Sequence, residues 1–156
     1  MTESKAPDQR RRDLLTLLAA ELQRLRLASE HLGWSLDRCR PLVGHARWNS
    51  EQLERLESLA SRFARLADLL TQRVARLADM LELESPGSLL DRIRRAEKRG
   101  WVATDGALVR ARELRNLIAH EYEDADLAEL YREVVTLSPV LIDAAARAGL
   151  WGAAIR

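Results

Sequence analysis

The sequence has one cysteine, one phenylalanine and two tyrosines in 156 residues. Cys39 has no partner for an intrachain disulfide, which fits a reducing compartment and a cytoplasmic protein. Four prolines, seven glycines and few β-branched residues leave little material for sheets and tight turns. Neither sign of charge predominates: 25 basic residues face 24 acidic ones, a formal net charge of +1. No global field therefore recruits nucleic acid, and any such binding must come from a local patch. No apolar run approaches a membrane span, and the first residues are polar rather than signal-like. There is no glycine-rich phosphate loop and no pair of aspartates after a Gly-Ser. The chain is not expected to transfer nucleotides itself.

Leu, Ala, Arg and Glu dominate what remains. This predicts an all-α protein, an antiparallel bundle of about five helices in a single domain over residues 1–156. Residues 1–9 read as a flexible tail. A first helix is predicted from Arg11 to His31, with Leu14, Leu18, Leu22, Leu25 and Leu32 recurring every three or four residues before Gly33 stops it. Residues 33–49 read as a connection, with Trp34 and Leu36 able to pack and Pro41 and Gly44 interrupting any helix. His31 and His45 lack metal-ligand spacing, and no metal or cofactor is expected.

The longest helix is predicted over Ser50–Glu82, capped at Asn49 with Gln52 three residues on. Its seam is Leu53, Leu56, Ala60, Phe63, Ala67, Leu70, Val74, Leu77 and Leu81, and Leu59, Leu66 and Leu69 widen it. That pattern suits the spine of a globular bundle. Ser85-Pro86 is expected to open a third helix ending at Gly100. It carries Arg92, Arg94, Arg95, Lys98 and Arg99. This run reads either as a solvated face or as a phosphate-binding patch, with Arg95, Lys98, Arg99 and Arg112 as candidate RNA contacts. Thr104-Asp105-Gly106 leads as loop and cap into a fourth helix with a stripe of Ala107, Ala111, Leu114, Leu117 and Ile118. A last helical region is expected near Asp124, with Pro139 kinking or dividing it and an end after Gly149 that frays unless Leu150, Trp151 and Ile155 dock.

The fourth helix also carries Arg115-Asn116-Leu117-Ile118-Ala119-His120-Glu121-Tyr122. On a helical wheel Arg112, Asn116 and His120 share the side opposite the stripe, with Arg115 at its edge. Arg115 and His120 then point well over 100° apart at about 100° per residue. A two-fold dimer that brings this face to its own copy would complete a site. Neutral histidine can take a proton from a 2′-hydroxyl, and its protonated partner can give one to the leaving oxygen. Arginine can hold the phosphate and stabilise developing charge, and Asn116 can orient the imidazole. No second histidine, acidic cluster or cysteine offers a competing catalytic site.

Arg115-Asn116-x-x-x-His120-x-Tyr122 resembles the signature of the HEPN superfamily, and its Arg-x4-His-x-Tyr form resembles the HepT-type toxins. The likeness extends through RFARLADLLTQ and LLDRIRRAEKRGW, covering roughly residues 50–125. It implies a helical homodimer with its motif helices facing a shared cleft. It implies a metal-independent RNase toxin of a toxin–antitoxin pair in which Arg115 and His120 are catalytic. A minimal nucleotidyltransferase antitoxin would modify Tyr122 with AMP, and a bulky anion there would fill the phosphate site. Some relatives are instead non-catalytic, substrate-binding partners of nucleotidyltransferases.

Overall fold

The structure is a computed structural model that describes residues 5–120 and 126–155. These residues are overwhelmingly helical, with no strand among them. Helix α1 (Lys5–Cys39) packs along α2 (Ser50–Asp68) and α6 (Leu127–Ala154). After α2 the backbone widens into a π-helical stretch, Leu69–Val74, and continues as α3 (Ala75–Leu81). Helix α4 (Leu89–Ala96) runs into a second wide turn, Glu97–Trp101, and α5 (Ala107–Ala119) follows.

α1 is longer than predicted at both ends. It begins at Lys5, inside the expected tail, and passes through Gly33 to Cys39. A helical glycine costs about 1 kcal/mol relative to alanine. Here the apolar stripe does not stop at Gly33: Leu25, Ala28, Leu32, Leu36 and Cys39 are all buried. Continued burial outweighs the propensity. The connection shrinks to residues 43–49 after a 3-10 turn at Arg40–Leu42 that contains Pro41. Trp48 pins it, donating its indole N–H to the Leu42 carbonyl at 2.9 Å and meeting Tyr131 edge-on. Trp34, by contrast, stays on the surface with Arg38 over its ring.

Asn49 and Gln52 form the expected capping box at the start of α2. The spine buries Leu56, Ala60, Phe63, Ala67, Leu70, Val74 and Leu81, while Leu53 and Leu77 are half-buried. The π-helical stretch rotates the stripe, so Leu69, Thr71, Ala75 and Ala78 also turn inward. Ser88, not Ser85, caps α4: its hydroxyl accepts from Asp91 N–H, and Asp91 accepts from Ser88 N–H. Ser85-Pro86 remains in the preceding loop because the Ser-x-x-Asp box three residues on satisfies two amides at once. These hydrogen bonds from Ser88 hold the Asp91 carboxyl below its usual range. Gly100 closes the second wide turn with φ 86°, in the left-handed region that glycine tolerates.

α6 runs unbroken through Pro139, with Asp126 as its N-cap. Asp124 lies outside the described residues. Proline removes one helical N–H, but Val134, Leu137, Ser138 and Leu141 are all buried around it and hold the chain in register. The end does not fray either: Trp151 docks edge-on against the buried Trp101. By length and composition alone α6 is apolar enough to cross a membrane, its most apolar 18-residue window having a mean hydropathy of 1.3. In this fold its stripe from Leu130 to Ala148 belongs to the bundle core.

Asp79 of α3 is a buried carboxylate. Arg95 reaches it at 2.6 Å and Arg99 at 2.7 Å, and Arg99 also meets Glu82 at 2.9 Å. Arg99 is covered further by Trp101 and Trp151, each with its ring within 5.8 Å of the guanidinium. Burial alone would raise the Asp79 carboxyl pKa. The hydrogen bonds from Arg95 and Arg99 overcome this and hold it below the usual carboxylate value. A carboxylate depressed in this way stabilises the fold above the unfolded value near ~4, and loses that contribution as pH falls through the folded value. Asp79→Asn, which leaves two arginines without a counter-charge, should cost about 3–5 kcal/mol at pH 7. In urea titrations the gap between wild type and variant should narrow on going to pH 3. A gap independent of pH would rule out this electrostatic account.

Candidate active site

The motif helix α5 is placed from both ends. At its start, Gly106 takes φ 86° and supplies no capping side chain. Glu97 does so from the wide turn before it, accepting from Gly106 N–H at 2.8 Å and Leu108 N–H at 2.9 Å. A carboxylate there satisfies two free amides and opposes the positive end of the helix. The Thr104–Gly106 loop was expected to provide this cap. Glu97 provides it instead, from a separate element.

Midway along α5, Arg112 and Arg115 turn to the same side and meet Asp68, the last residue of α2. Arg115 Nε and Nη2 grip the two Asp68 oxygens at 2.7 and 2.8 Å, and Arg112 Nη1 adds a bond at 3.0 Å. All three side chains are partly shielded from solvent. The Asp68 hydrogen bond raises the Arg115 pKa above its ordinary value, so the guanidinium stays charged. Asp68 uses one edge of the Arg115 fork. Nη1 makes no hydrogen bond among the described residues, leaving that edge for another anion.

α5 ends one residue before the motif histidine. His120 has extended backbone (φ −88°, ψ 141°) and is exposed, tied to the helix by its amide donating to the Asn116 carbonyl at 3.2 Å. The wheel assumes a continuing helix, and this one ends at Ala119. Asn116 is exposed on the last turn. Leu117 is misplaced by the sequence reading, at 54% exposed, because Leu108 takes its place in the buried stripe with Ala107, Ala111 and Leu114. Tyr122, the expected AMP acceptor, lies outside the described residues.

Of the candidate RNA contacts, Lys98 is exposed, Arg112 is bound to Asp68, and Arg95 to Asp79. Arg99 is a correction: its side chain is 6% exposed, inside an ion-pair and tryptophan cluster. A run of five cations in sequence resembles a surface patch, but only the partners on α3 reveal which of them turn inward. The sequence reading missed Asp68, Asp79 and Glu97 altogether. The signal available was weak, since each is one acid among 24. No His, Cys, Asp or Glu cluster suited to a metal ion occurs among the described residues. Cys39 is buried with its thiol against the Arg55 carbonyl, and burial pushes its pKa up, away from a nucleophile's.

The Asp68–Arg115 fork should couple the two positions. Asp68→Ala and Arg115→Ala should each lower stability by about 1–2 kcal/mol, and the double variant should lose less than the two single losses combined. Strict additivity in denaturant titrations would show that the fork contributes nothing.

No curated protein and no solved structure matches the chain. A family model described as "Ribonuclease HepT-like" matches residues 32–148, a span that runs from the end of α1 into α6 and contains Arg115, Asn116, His120 and Tyr122. That is well over half of the chain, and the all-helical fold agrees with it. This protein belongs to the HepT-like ribonuclease family.

Proposed function

We propose that this protein is a metal-independent endoribonuclease, the toxin of a toxin–antitoxin pair, working as a homodimer. The observation that carries the reading is the family match across the whole motif helix, which holds Arg115, with the exposed His120 directly after its last residue. His120 takes the proton from a 2′-hydroxyl, and the freed oxygen attacks the adjacent phosphorus. The bond to the 5′-oxygen breaks, and a protonated histidine of the second copy supplies that oxygen's proton. The products are a 2′,3′-cyclic phosphate and a 5′-hydroxyl. Arg115, steadied by Asp68, meets the phosphate through its Nη1 edge and stabilises the charge as it builds. Asn116 contacts the phosphate or steers the imidazole. The exposed Leu117 beside it suits a face that meets its own copy.

The antitoxin in this reading is a minimal nucleotidyltransferase that transfers AMP to the Tyr122 hydroxyl. The added phosphate competes for Arg115 and repels RNA. One observation favours a second reading. Arg115 already has a carboxylate partner, which a non-cutting, substrate-binding subunit of a nucleotidyltransferase would tolerate without penalty.

His120→Ala should reduce RNA cleavage by about 10²–10⁴-fold while leaving the circular dichroism spectrum and melting temperature unchanged. Equal cleavage by wild type and His120→Ala would abandon the nuclease and leave the binding subunit. Intact mass after co-expression with a minimal nucleotidyltransferase should gain an AMP-sized adduct that Tyr122→Phe abolishes. An adduct that persists in Tyr122→Phe would refute Tyr122 as the acceptor.

A further inference from the structure

A cavity of about 830 Å³ opens between the start of α1, the end of α3 and the loop into α4, on elements other than those that hold Arg115 and His120. That volume falls within the range of small-molecule sites. Its wall carries five arginines, Arg10, Arg11, Arg76, Arg92 and Arg95, against three carboxylates, Asp8, Asp79 and Glu84. The balance is positive, and Asp79 is already committed to Arg95 and Arg99.

Three of these arginines, Arg10, Arg76 and Arg92, are short of partners among the described residues. Arg10 and Arg76 are exposed and make no hydrogen bond or ion pair among the described residues. Arg92 comes no nearer to Asp79 than 4.0 Å, and its buried Nε has no acceptor. The Nε of Arg95 is buried without an acceptor too. The positive charge that exceeds the wall's carboxylates, with Arg10 and Arg76 exposed and unpaired, suits an anion in the cavity. The opposite wall is apolar, with Leu14, Met80 and Leu81. At its rim Leu83 is 91% exposed and holds φ 58°, a left-handed conformation unfavourable for a leucine. That conformation closes α3, with Leu83 N–H donating to the Met80 carbonyl and Glu84 N–H to the Asp79 carbonyl, and it leaves the Leu83 side chain at the mouth of the cavity.

We propose that this cavity binds the phosphate of a nucleotide. Arg10, Arg76 and Arg92 hold the phosphate oxygens, and the base lies against Leu14, Met80 and Leu83. The same phosphate chemistry is offered by a free mononucleotide and by the end of an RNA strand. The site is independent of the nuclease reading, since it shares no residue with the Arg115 and His120 centre.

The test is calorimetric titration of the full chain with AMP, ATP, adenosine and a 5′-phosphorylated, 2′-O-methylated oligonucleotide that cannot be cleaved through its 2′-oxygen. AMP or ATP should bind and adenosine should not. Arg76→Gln and Arg92→Gln should each weaken binding about tenfold or more. Arg132→Gln, which removes an exposed cation on α6, should leave it unchanged. Arg76 is exposed, so its variant should melt at the wild-type temperature without ligand. Binding of the oligonucleotide alone, with the same loss in Arg76→Gln, supports the phosphate site and assigns RNA as its source. Equal binding of adenosine, no binding of any phosphate, or undiminished binding in both variants overturns the proposal. Cleavage by His120→Ala bears only on the nuclease reading.

Discussion

Asp68 grips Arg112 and Arg115 together, and the orientation of the motif helix depends on that contact. It joins the last residue of α2 to the middle of α5, across 47 residues of sequence. The pair is partly shielded, so water weakens it less than it would a surface ion pair. A bidentate fork also fixes direction as well as distance. Arg115 is thereby charged, oriented and half-occupied before any substrate arrives. Glu97 completes the placement from the other end of α5 by holding its first amides.

The same spine carries the second aspartate. Asp79 lies beyond the π-helical stretch that begins directly after Asp68. The wide turn rotates α3 relative to α2 and brings Asp79 to Arg95 and Arg99 rather than to α5. One acid holds Arg95 and Arg99, the other Arg112 and Arg115. What looks in sequence like a row of solvated cations is, in large part, the polar seam that fastens α4 and α5 to the spine. The arginines that exceed the available carboxylates are left on the cavity beside α1.

Burial decides most of the differences between the sequence reading and the fold. Gly33 and Pro139 are valid breakers of isolated helices, and both sit in unbroken ones because the apolar stripe continues past them. The cap of α4 moved from Ser85 to Ser88 since only the latter has an acid three residues on. Leu117 went wrong for a different reason: Leu108 joins Ala107, Ala111 and Leu114 on the buried face of α5, and Leu117 is left exposed.

The sequence by itself determined the helical class, the spine with its Asn49 cap, and the motif that the family match contains. These depend on residue type and on spacings within a few turns, which are local quantities. Only the tertiary structure decided which charges meet. Arg115 with Asp68, Arg99 with Asp79, and Glu97 with the start of α5 are contacts between separate elements. Each acid could have paired with many bases, and packing of the apolar faces made the choice. The exposed, extended backbone of His120 is of the same kind, since it follows from where α5 stops rather than from the residue itself.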